Sequence, residues 1–202
     1  MSKKTRWAPF PHPDPKFDYA GAKLAKAWPK LHAGDLEPFP DEARVAALLK
    51  QHPKLGKAAQ AGELAEALAE AWRAFHRGDF QQAFEAGTGL GPLGASVAIK
   101  AAGIHATHLA DDDTVREKRY TELVTLAEAA MAALPDEANS HYRYAFALGR
   151  YSQQLIKNYL PNAVFTDLTA EEYVLETENA ACSVHSPFGG GGSGLNVIDG
   201  NL

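Results

Sequence analysis

The chain has 202 residues, 46% of them hydrophobic and 22% charged, with a formal net charge of −5. That length supports one domain, with or without a tail, and a sizeable core; the acidic balance excludes a general nucleic-acid binder, which needs a basic stripe. A single cysteine, Cys182, excludes an intramolecular disulfide and fits a reducing compartment. With no apolar run of about 18 residues and no apolar core in the opening MSKKTRWAPFPHPDPK, no membrane partner and a cytoplasmic location are expected.

Residues 1–17 form a Pro-rich arm (APFPHPDPK), in which each proline fixes its own φ and keeps the preceding residue out of the helical region. A helix is predicted from about Asp18 to His32, bent or ended early by Pro29. After the turn EPFPDEA, Asp41 caps a second helix to about Gln51, with Val45, Leu48 and Leu49 on one face. A third helix runs from about Glu63 to His76. Its Leu64, Leu68, Trp72 and Phe75 follow the i, i+4, i+8, i+11 stripe of a buried face. Gly78 ends it, and Asp79 caps a fourth over 79–86. Beyond the turn GTGLGPLG, a fifth helix spans about Ala95–Leu109. Asp111–Asp113 make a polar turn, and an Ala-rich sixth helix, about Thr114–Leu134, is stopped by Pro135. The seventh runs from about Asp136 to Tyr159, and Pro161 ends it. After Lys157 there is no lysine or arginine, and residues 158–202 carry six acids. Thr169 and Glu172 could form a capping box, and 189–194 (GGGGSG) reads as a linker. The chain is therefore expected to divide into an arm (1–17), a helical domain (18–160) and an irregular acidic, Gly-rich tail (161–202).

One phrase occurs twice. Residues 24–36, LAKAWPKLHAGDL, and 68–80, LAEAWRAFHRGDF, share seven of thirteen positions at a separation of 44 residues. Self-similarity at that range is a mark of helical repeats. Both copies are expected to form the same helix–turn–helix, with Gly34 and Gly78 at positive φ and Asp35 and Asp79 capping the next helix. His32 and His76 are then helix-terminal histidines beside the last carbonyls. Trp28, Trp72, Phe75, Phe80 and Phe84 belong to the core.

Region 63–151 resembles the tetratricopeptide repeat family, which stacks helix–turn–helix units of 34 residues. The resemblance rests on Gly78-Asp79-Phe80 with Ala83, on Ala130 five residues before Pro135, and on Pro135-Asp136 followed by His141-Tyr142, Ala145 and Leu148. It implies an all-α, right-handed stack of helical hairpins acting as a non-enzymatic scaffold or adaptor, without a cofactor, that holds a peptide or partner protein in a groove. The first helix of each unit lines that groove in the family, so the resemblance turns Asn139, Tyr142, Arg143, Phe146 and Arg150 toward the partner. Two arginines among aromatics suit a carboxylate-bearing peptide, and the acidic tail is expected to compete for this face. The last unit lacks a closing helix of matching character, which leaves a truncated or frame-altered chain with a non-functional tail as an alternative.

Other constellations are weaker. Gly89-x-Gly91-x-x-Gly94 fits the dinucleotide fingerprint, but a helix precedes it where that fingerprint requires a strand, so it reads as a turn. His105 and His108 share a helix face ahead of Asp111, Asp112 and Asp113; this is the basis of a rival reading, a metal-dependent enzyme. It lacks the glutamate of HExxH, and no bound metal is expected. Cys182 and His185 would need a rigid geometry their segment does not promise.

Overall fold

Helix-favouring runs separated by Pro, Gly and Asp punctuation become seven α-helices in the computed structural model, which describes residues 7–159. They are α1 (Lys23–Leu31), α2 (Glu42–Gln51), α3 (Ala61–Arg77), α4 (Phe80–Gly89), α5 (Ala95–His108), α6 (Asp113–Ala133) and α7 (Ala138–Tyr159), joined by short 3₁₀ turns. Among the described residues there is no strand, and no helix is long and apolar enough to cross a membrane. The predicted tail, with its Thr169 capping box and Cys182–His185 pair, lies outside the described residues.

From α2 onward each helix packs against the next, and α3 reaches α5 as α5 reaches α7. Three apolar clusters result. Val45 and Leu49 of α2 meet Ala61, Ala65 and Leu68 of α3. Leu24 and Trp28 of α1 join Trp72, Phe80, Ala83 and Val97. Ile99 and Ala102 of α5 meet Leu123, Ala127 and Ala130 of α6 and Ala147 of α7. Alanines dominate these seams because small side chains let helix axes approach.

Capping follows the sequence at two starts. The Asp41 carboxylate accepts the Arg44 N–H at 2.8 Å, and Asp112 accepts those of Thr114 and Val115. Gly94 is needed for packing: a Cβ there would lie 2.2 Å from the Gly87 carbonyl oxygen, so the GLGPLG run serves a close crossing of α4 and α5.

The doubled phrase does not fold the same way twice. Gly78 has φ 90° and ends α3 as expected, with the Phe10 ring of the N-terminal arm lying over it. Gly34 is not in the left-handed region; Leu36 is, at φ 47°. No helix follows Asp35, because Pro38 and Pro40 hold the chain extended up to α2. Asp79 occupies the N-cap position of α4 but makes no side-chain cap; its carboxylate takes the Arg77 Nε–H at 2.7 Å. The first helix also starts later than predicted, at Lys23, behind a turn through Gly21 at φ 57°.

Candidate functional site

A helical Trp-x-x-x-His places both rings on one face, one turn apart. The two copies of this pair meet. Trp28 stacks on His32 with centroids 4.0 Å apart, Trp72 stacks on His76 at 5.9 Å, and the two indoles cross edge-to-face at 5.4 Å. The two copies of the phrase thus pack against each other. His32 Nε2 and His76 Nε2 lie 3.2 Å apart, and His32 Nδ1 lies 2.9 Å from Asp35 Oδ1. A carboxylate only accepts, so His32 carries its proton on Nδ1 and His76 donates from Nε2 to His32. The result is a directed chain, His76 to His32 to Asp35.

Burial keeps both imidazoles neutral. His32 is 2% exposed, and burial followed by the nearby Lys100 ammonium lowers its pKa. Burial, His32 and Lys100 bring His76 down to about 3. For Asp35, burial pushes the carboxyl up, but hydrogen bonds from Lys100 and Arg143 outweigh it and hold it well below the usual carboxylate range. Burial lowers the Lys100 pKa, against the pull of Asp35.

From Asp35 the network spreads into α5 and α7. Its Oδ2 accepts from Lys100 Nζ at 2.5 Å and Arg143 Nη2 at 2.8 Å. Two residues on, Glu37 Oε2 accepts from Ser96 Oγ at 2.5 Å, Asn139 Nδ2 at 2.6 Å and Arg143 Nη2 at 3.0 Å. Arg143 Nε donates to Ser96 Oγ at 2.8 Å, and Trp28 Nε1 donates to the Glu37 carbonyl at 2.6 Å. Ser96-x-x-x-Lys100 and Asn139-x-x-x-Arg143 are i, i+4 pairs, so each helix aims two donors at the same segment. Beside this network a cavity of about 70 Å³ opens, with Glu37, Ser96, Asn139 and Arg143 on one wall and Leu68 and Leu134 among its apolar lining.

The residues expected to face a partner are divided by the structure. Asn139 and Arg143 line the cavity, but Arg143 is only 3% exposed and paired with Asp35 and Glu37. Arg143 is thus not open to a partner as the resemblance implied: a buried guanidinium on α7 must be paired, and Asp35 and Glu37 supply the acids. Tyr142 is 46% exposed. Phe146 is half-buried with its ring against Gly103, and the Arg150 guanidinium lies 5.5 Å from that ring.

The residues of the metal reading are not brought together. His105 is buried, with Nε2 accepting the Ala8 N–H at 2.9 Å and the Trp7 ring tilted against it at 4.6 Å, while His108 is exposed. Asp112 caps α6, and Asp113 pairs with Arg116 and Lys157. Among the described residues no group of three or more His, Cys, Asp or Glu is placed to hold a metal.

Asp35, Glu37, Ser96 and Lys100 escaped sequence reasoning. Lys100 had a signal, as the lone Lys, Arg, Asp or Glu in the apolar run ASVAIKAAGIHAT. Glu37, in an ordinary Pro-flanked turn, had none. No protein-family model, curated protein or solved structure matches the chain, and the meaning of the site therefore rests on its own geometry.

Proposed function

We propose that this chain is a non-enzymatic scaffold whose helical hairpins, stacked in the manner of tetratricopeptide repeats, hold an acidic segment of a partner protein in the groove beside α5 and α7. One observation carries the reading: Ser96, Asn139 and Arg143, from two helices, converge on a single carboxylate oxygen, Glu37 Oε2, at the wall of a cavity. Such a set of donors is what carboxylate recognition requires. Exposed Tyr142 and the Phe146–Arg150 pair extend the same helix as further contact surface.

The test is a titration of a fluorescein-labelled Asp-Glu repeat peptide into the full chain at low and high salt. Binding weakens as salt rises, and Asn139→Ala weakens it about tenfold, as loss of a hydrogen bond to a charged group does. Equal binding by the Asn139→Ala chain rejects the groove.

A further inference from the structure

We infer that the groove is already filled in cis: residues 33–38 of this chain occupy it as a built-in ligand, and the external partner is a segment with two carboxylates two residues apart, Asp-x-Glu, that displaces them. The inference rests on the proposed groove and adds its resident occupant and its recognition signature.

Three observations on one short segment support it. Asp35 closes a turn and Glu37 follows it two residues on, and both carboxylates reach donors on α5 and α7 while Leu36 between them is 79% exposed. Leu36 contributes nothing to the core and sits at φ 47°, a left-handed conformation that a leucine rarely adopts. The contacts on either side therefore hold it in a conformation its own backbone disfavours. Finally, buried ion pairs rarely stabilise a fold more than apolar packing of the same volume does. Stability alone does not account for two carboxylates, a lysine and an arginine placed here; recognition of acids by Ser96, Lys100, Asn139 and Arg143 does.

The segment can leave without unfolding its neighbours. It belongs to no helix, running between the end of α1 at Leu31 and the start of α2 at Glu42, and it has open space around Gly34. Phe39, edge-to-face with Trp28 at 5.2 Å, anchors the chain beyond it. A tethered occupant competes at an effective concentration on the order of millimolar, so a free peptide meets a groove whose open fraction is small and its apparent affinity falls by that fraction.

The probe is a fluorescein-labelled peptide of residues 33–40, AGDLEPFP, with AGNLQPFP as its neutral counterpart. Asp35→Asn with Glu37→Gln in the full chain weakens the cis occupant and keeps the receiving side chains. The double variant should bind the charged peptide at least tenfold tighter than the unaltered chain does, and should not bind the neutral one. Equal affinity in both chains, or equal binding of both peptides, overturns the inference; if Asn139→Ala still weakens that binding about tenfold, the groove reading stands and only the cis occupant falls. Binding of the peptide by neither chain removes both. Should circular dichroism show the double variant unfolded, amide hydrogen exchange of the unaltered chain decides. Millimolar AGDLEPFP should accelerate exchange across 33–38 and leave α5 and α7 protected, whereas unchanged exchange overturns the inference.

Discussion

A histidine that must stay neutral to stay buried makes stability depend on pH. His76 is held down to about 3, His105 to about 4 by burial and Arg119, and His32 is lowered as well, whereas an unfolded histidine titrates near 6.5. Between those values the unfolded chain binds more protons than the folded one, so stability is complete above about pH 6.5 and is lost as pH falls toward 4 and 3. Each such histidine contributes a slope of about 1.4 kcal/mol per pH unit within its window. The melting temperature should drop steeply from pH 7 to pH 4. Lys100→Met removes a cation that disfavours the imidazolium, so the His76 resonance should titrate at higher pH in that variant. A flat melting profile, or an unmoved His76 titration, contradicts the neutral-pair description.

At the scale of elements, the same residue type does different work at two helix starts. Asp41 caps α2, and Asp41→Ala should cost about 1 kcal/mol. Asp79 makes no cap and only an exposed pair with Arg77, so Asp79→Ala should cost less than about 0.5 kcal/mol. Urea denaturation of the two variants separates these outcomes, and equal losses would return Asp79 to a capping role. Gly78 carries a heavier constraint. An added Cβ would have to adopt φ 90° and would lie 2.5 Å from the Phe10 ring. Gly78→Ala should therefore cost about 2–3 kcal/mol, and part of that loss should disappear in the Phe10→Ala background, where the ring is gone.

Across the whole molecule, the sequence determined the helical content and most helix boundaries. Apolar stripes with a 3.6 period, Asp caps and Pro or Gly stops are local signals, and α2, α5 and α6 follow them to within a residue or so. It also marked Trp28, His32, Trp72 and His76 as related by repeating their phrase. What the phrase is for was decided only in three dimensions. Identical letters lead into a helix at Phe80 and into a non-helical Pro-rich segment after Leu36, because prolines follow the first copy and Gln-Gln-Ala-Phe the second. The N-terminal arm read only as a Pro-rich stretch; that Trp7 lies between His105, Phe84 and the Arg119 guanidinium is visible in three dimensions alone. The candidate site was legible at Asn139 and Arg143, which share a helix face. Their hydrogen-bond partners Asp35, Glu37 and Ser96 stand between 47 and 108 residues away along the chain, and Lys100 joins them through Asp35. Helix periodicity reports which side of an element is buried, but carries no information about which distant carboxylate will meet a buried arginine. That pairing is set by packing, through the need to neutralise each charge that packing removes from water.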